Sequence, residues 1–288
     1  MDRVKKYAAY TLYIFGATVF FLYILFPVDT VKTYIESRAA RVSPGMALYV
    51  ESVRMGFPPG FFFSNAYILS GEEPVVRLDR GRFTPAYLTL ISSKPAVNFT
   101  GEIAGGHAEG KISMQTGQDN RALATRIQFS AVDLQRLPVL ETLYPGTFSG
   151  AAKGELDYQA SMPAIGRSPG TGALMLEISG FRLDLDEDIM GLEYFDFSEI
   201  TVEAQMANER LNVVQINLAG SQFSAKGNGT IDLRQPLESS RLDLEGTLEV
   251  HPPLMRHIGA FLPRQYRGDD TIPFRITGTM AHPRYSLR

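Results

Sequence analysis

The 288-residue chain has no cysteine, which excludes disulfides, cysteine-ligated zinc, iron–sulfur clusters and a thiol nucleophile. Histidine is scarce. His107, His251, His257 and His282 include no pair within one helical turn, and His251 and His257 are separated across Pro252-Pro253, a poor spacing for a metal. An excess of positive charge is also missing. The 28 Lys+Arg stand against 31 Asp+Glu, a net −3, which argues against nucleic-acid binding through a basic surface. There is no Gly-x-Ser-x-Gly elbow, since residues 146–150 read GTFSG, with the serine out of place. There is no phosphate loop, because Gly227-Asn228-Gly229 leads into strand-like residues rather than a helix. No cofactor, no metal and no enzymatic activity are expected.

What is abundant is concentrated hydrophobicity at the start. Between Lys6 and Asp29 no residue is charged, and Tyr7–Val28 reads YAAYTLYIFGATVFFLYILFPV. A helix of that length reaches about 33 Å, enough to cross a hydrocarbon core of about 30 Å. Leu12, Ile14, Phe15, Val19, Phe20, Phe21, Leu22, Ile24 and Leu25 form its apolar body, and Tyr7, Tyr10, Tyr13 and Tyr23 suit the lipid–water boundary. No small-x-small cleavage site follows, so the run reads as an uncleaved anchor. Arg3, Lys5 and Lys6 place the N-terminus in the cytoplasm, and the rest of the chain across the membrane. The expected organisation is a cytoplasmic tip and transmembrane anchor over 1–28, an amphipathic stem helix over 29–45 and a β domain over 46–288. In the stem, Val31, Ile35 and Ala39 make one narrow apolar stripe, with Asp29 or Thr30 as cap.

From about Met46 the hydrophobic period is two. Segments such as Val97–Ile103, Thr125–Phe129, Ile200–Ala204 and Leu242–Glu245 alternate apolar with polar, the pattern of strands with one wet and one apolar face. Strands do not alternate with long helices, so an antiparallel sheet is expected rather than a doubly wound one. A phrase led by glycine recurs at Gly110, Gly154, Gly229 and Gly246, with partial copies at Gly101 and Gly278. It predicts hairpins along one sheet, with glycines at strand starts allowing the sheet to curl. Two short helices are expected to interrupt the strands, at Asp133–Tyr144, capped by Asp133 and broken or restarted at Pro138, and at Pro252–Leu262. Each reads as a lid on an open end of the sheet. The segment GFPPGFFF over 56–63 does not read as a strand interior, and its phenylalanines are expected to plug one end of the core. Asp184–Asp188 reads as a strand running into a solvated turn.

The order of parts resembles the type II secretion system protein N (GspN) family, in a diverged, shorter branch. The resemblance runs over essentially the whole chain: a basic tip, one span ending in Phe26-Pro27, an amphipathic stem, then a glycine-rich β domain. Val132-Asp133-Leu134 leads through Leu137-Pro138 to Phe148-Ser149-Gly150 and Gly154-Glu155-Leu156, and the chain closes on residues 272–286, IPFRITGTMAHPRYS. The closing phrase and the Asp-Leu helix also resemble AsmA-like periplasmic β proteins, which are tied to lipid movement between membranes. Beside the glycine-led hairpins, which favour a bent half-barrel over a sandwich or a closed barrel, these resemblances imply a mainly β fold in which one N-terminal transmembrane helix precedes a long curled antiparallel sheet. They imply a single-pass protein of the bacterial inner membrane with its bulk in the periplasm. The first family implies a non-enzymatic component of a type II secretion system that contacts the bilayer and other secretion-system proteins. The alternative implies a carrier that holds lipid acyl chains in an apolar β groove. Candidate lining residues are Ile112, Met114, Ile127, Phe129, Leu174, Leu176, Ile178, Ile200, Val202, Ile216, Leu218, Leu242, Leu244, Leu248 and Val250. The same residues would line a closed core. An open apolar groove in the fold would favour the carrier, and a sealed core with an exposed strand edge would favour assembly.

Overall fold

A computed structural model of the chain describes all residues except 1–5, 8, 9, 12, 15, 19, 22–28, 31, 34, 35, 38–45, 57, 58, 72, 90, 91, 93, 117–120, 144, 145, 163–169, 190, 191, 235, 253, 256–270 and 288. Among the described residues fourteen strands make one sheet in strict sequence order, every neighbouring pair antiparallel, and the sheet does not close on itself. They are β1 (Met46–Gly56), β2 (Gly60–Ser70), β3 (Glu73–Pro85), β4 (Ala96–Ile103), β5 (Gly106–Thr116), β6 (Arg121–Asp133) and β7 (Gly146–Met162). There follow β8 (Gly170–Ile189), β9 (Leu192–Ala207), β10 (Arg210–Gly220), β11 (Phe223–Asp232), β12 (Arg241–Val250), β13 (Thr271–Thr279) and β14 (Pro283–Leu287). The alternation seen in the sequence becomes two faces. In β12, Leu242, Leu244 and Leu248 are half-buried, while Asp243, Glu245 and Glu249 are exposed.

Among the described residues of the β domain, helix is confined to short inserts. A 3-10 turn, Leu134–Arg136, is capped by Asp133, whose carboxylate accepts the Gln135 amide at 3.0 Å. It breaks at Leu137 and restarts as α1 (Pro138–Leu143), with proline in the first turn, where its missing N–H costs nothing. Leu137 and Leu140 pack onto Val132, Leu134 and Ala152, so the insert lies on the apolar face. From there α1 reaches both β3 and β7. At the start of the second expected helix, the Met255 amide bonds His251 O at 3.0 Å, and Leu254 is buried against Val250 and Ile272. Residues 256–262 of that segment lie outside the described residues. The first insert and this second one leave the sheet at the same end, the end where β1 begins.

Two readings of local sequence are corrected. The phenylalanine triplet is strand: Pro59 belongs to the turn, and Phe61, Phe62 and Phe63 open β2. Phe61 and Phe63 share the apolar face, while Phe62 lies on the other, covered by the Arg82 guanidinium 4.8 Å from its ring centroid. The recurring glycines are not at strand starts. Gly101, Gly110, Gly154, Gly229, Gly246 and Gly278 all sit inside strands, and the pairing puts every one on the apolar face. At Gly154 the reason is the close approach of a backbone carbonyl and an aromatic ring, since an added Cβ would clash with Met175 O and come within 2.7 Å of Phe129 Cζ. Phe63 lies across Gly81 in the same manner.

No helix among the described residues is long and apolar enough to cross a membrane. Of the expected anchor residues, Ile14, Phe20 and Phe21 are described, and they are helical and exposed. Leu12, Phe15, Val19, Leu22, Ile24 and Leu25 lie outside the described residues, as do Val31, Ile35 and Ala39 of the stem. The described stem residues Lys32 and Glu36 are helical and meet the outer edge of β1. Glu36 Oε1 accepts the Val50 amide at 3.1 Å, and Lys32 Nζ donates to Glu51 O at 3.4 Å. These contacts satisfy edge groups that would otherwise invite another strand.

Candidate functional site

The register assigns each side chain to a face. One row runs Phe129–Gly154–Leu176–Val202–Ile216–Gly227–Gly246–Phe274 from β6 to β13. A second runs Ala152–Ile178–Ile200–Leu218–Ala225–Leu248–Ile272. All fifteen expected lining residues fall on this one face. Ile200 and Val250 are buried, Met114 is exposed, and the other twelve are half-buried.

The face is therefore apolar but not sealed. Ile272 is the only large apolar side chain described as fully buried, at 1% exposure. Among the described residues no second sheet lies against the apolar face, and α1 covers only one end of it.

Sequence alternation did not show that the aromatic residues of this face gather into groups. Phe63, Phe83 and Phe99 form one group, with centroids 5.2–6.2 Å apart. Phe148, Phe181, Phe197, Phe223 and Phe195 form a second chain of contacts, spaced 5.1–6.2 Å. Their signal was present as phenylalanine at alternate strand positions, but it shows only once the cross-strand pairing is known.

The opposite face is charged and laced by pairs across strands. Arg80 forks onto Glu102 at 3.0–3.2 Å. Arg126 bonds Asp157 at 2.7 Å, Lys153 meets Glu177 at 2.6 Å and Arg210 bonds Asp232 at 2.7 Å. Arg275 reaches diagonally to Asp243 at 2.7 Å. The hydrogen bond from Arg210 holds the Asp232 carboxyl below its ordinary value, and that from Asp157 raises Arg126 above its own. Such pairs add little energy on an open surface, but a slip of one residue would break them all.

A trough of about 710 Å³ crosses this charged face from β5 to β10. One wall is the row Glu109–Gln128–Glu155–Met175–Glu203–Gln215. The other carries His107, Ser130, Lys153, Glu177, Thr201 and Asn217. It lies where β6, β7 and β10 carry irregularities in register, which bend strands. Between the two walls run Phe129, Gly154, Leu176 and Val202, and no local sequence pattern marks the trough, because it joins residues from six strands. Among the described residues no group of three or more His, Asp or Glu is arranged to hold a metal ion. His251 is spent on structure, with Nε2 at 3.3 Å from Ser224 Oγ and Nδ1 at 3.1 Å from Ser221 O.

Compared with family models, curated proteins and solved structures, the chain matches none of them.

Proposed function

We propose that the chain is a non-enzymatic lipid carrier that lays acyl chains along the apolar face of its sheet. The observation that carries this reading is the half-buried state of that face across its width, with only short inserts against it. Each methylene moved from water onto it gains about 0.8 kcal/mol. In this reading the sheet curls toward its apolar side as a bent half-barrel. Gly81, Gly101 and Gly154 on that side support the curl by leaving room for phenylalanine rings. The uncharged run Tyr7–Val28 is the anchor, with the N-terminus cytoplasmic, in a bacterial inner membrane, and the β domain periplasmic. The test is photo-crosslinking in cells from Phe129 and Leu244, both half-buried on the apolar face. Capture of lipid is expected, and capture of proteins alone would reject carriage.

A second reading, membership of a type II secretion assembly, is favoured by the far edge of the sheet. β14 has five residues, pairs only with Phe274–Gly278, and has no further strand beside it among the described residues. A partner strand adding there would join the sheet through main-chain hydrogen bonds. Crosslinkers at Arg284 and Ser286 that trap a secretion-system protein would support it. Their failure, alongside lipid capture at Leu244, would leave the carrier alone.

A further inference from the structure

The connection from β3 to β4 turns apolar side chains outward. Its 3-10 turn Tyr87–Thr89 holds Leu88 at 92% exposure and Tyr87 at 46%. Leu90 and Ile91 follow in the sequence, then Ser92, Ser93 and Lys94. A single exposed leucine is ordinary on a protein surface. What sets this turn apart is the frame beneath it.

The Thr89 amide and hydroxyl both donate to Ala86 O, each at 2.7 Å, and the hydroxyl accepts the Ala96 amide at 3.0 Å. The Ser92 amide donates to Thr89 O at 3.0 Å, and its hydroxyl donates to the same oxygen at 2.7 Å. Ser92 Oγ in turn accepts the Lys94 amide at 3.2 Å. The Ala86 amide closes the base of the loop on Ala96 O at 2.9 Å, and the Tyr87 hydroxyl donates to Pro59 O in the neighbouring turn. A loop that stays in water can leave such groups to the solvent. A loop that leaves water must satisfy them internally, because hydrocarbon offers no partner. Here the Thr89 and Ser92 hydroxyls do so for Ala86 O, Thr89 O and the Ala96 and Lys94 amides, and Leu88 stands exposed above them. Tyrosine at the base suits a lipid–water boundary, and Lys94 supplies a cation for anionic headgroups. The feature protrudes, which fits insertion into a fluid surface.

We propose that this tip, Leu88 flanked by Tyr87 and Lys94, inserts into the surface of a lipid bilayer and holds that end of the sheet on it. The contact is separate from the uncharged N-terminal run, and it does not require acyl chains on the apolar face. It lies at the end of the sheet opposite the β6–β7 and β12–β13 inserts.

The chain has no tryptophan, so Leu88→Trp makes the tip the sole indole reporter. The full chain carrying it is held in nanodiscs of phosphatidylethanolamine and phosphatidylglycerol. Nitroxide-labelled lipid is placed either in the nanodisc or in separately added vesicles of the same composition. The expected result is a blue shift with loss of emission in one arm, which tells whether the membrane engaged is the chain's own or a facing one. Emission unchanged in both arms overturns the proposal, as does a shift that follows only from adding a protein fraction. A second reporter, Tyr87→Trp, is quenched in the same arm. Adding Leu88→Asp to it abolishes the quenching, and persistent quenching would also overturn the proposal. Leu88 is almost wholly exposed, so the aspartate leaves the unfolding midpoint where it was, and that measurement separates lost binding from lost fold.

Discussion

Along β12, Leu242, Leu244 and Leu248 turn one way and Asp243, Glu245 and Glu249 the other, and the same division runs through the strands on either side. The apolar side supplies burial and crowds rings against glycines. The charged side supplies little burial but many paired ends, each tying one strand to the next at a fixed offset. In a sandwich a second sheet would cover the apolar side. Here one layer supplies both adhesion and register, so the two can be perturbed independently by choosing the face.

The largest effect is expected where the apolar face is driest. Ile272→Asp places an unpaired carboxylate at 1% exposure and should cost at least about 3 kcal/mol. A denaturant midpoint close to wild type would mean that the face is wetter there than described. Next comes crowding. Gly154→Ala pushes a methyl against the Phe129 ring and the Met175 carbonyl, for a loss of about 1–3 kcal/mol in urea unfolding. Phe129→Leu in the same chain should return part of that loss if the ring is the cause.

Leu244→Gln should separate adhesion from function. The side chain is half-buried, so stability falls by about 1 kcal/mol, whereas lipid capture at that strand should fall far more. An equal, small loss in both assays would count against carriage. The smallest effect belongs to the charged face. Asp232 has its carboxyl depressed by Arg210, so the pair's contribution is full above the ordinary 3.8 and is lost as pH falls through the lower folded value. The difference in thermal midpoint between wild type and Asp232→Asn should therefore be steady at neutral pH and vanish in acid. A difference that grew as pH fell would reverse the assignment.

Much of this division was legible in the sequence, because a period of two leaves no other reading for segments such as Val97–Ile103 or Leu242–Glu245. The fifteen candidate lining residues share a face for the same reason. What was not legible depends on pairing. Gly154 looked like punctuation, since only the neighbouring strand brings a phenylalanine over it. The Phe61–Phe63 triplet looked unlike a strand because alternation fails at Phe62, and only the adjacent Arg82 makes an aromatic tolerable on the charged side. The trough gathers residues scattered from His107 to Asn217 and has no local signature at all.

The strand order has a consequence for how such a chain reaches its final form. Each described strand bonds only to the one before and the one after it, so no strand waits for a distant strand to pair with. Hairpins can lock in the order in which they emerge from a ribosome or a translocation pore, and low sequence separation keeps the entropic barrier to each closure small. The width of the finished body is then counted in hairpins, and evolution can lengthen or shorten it a pair of strands at a time without redesigning what is already built.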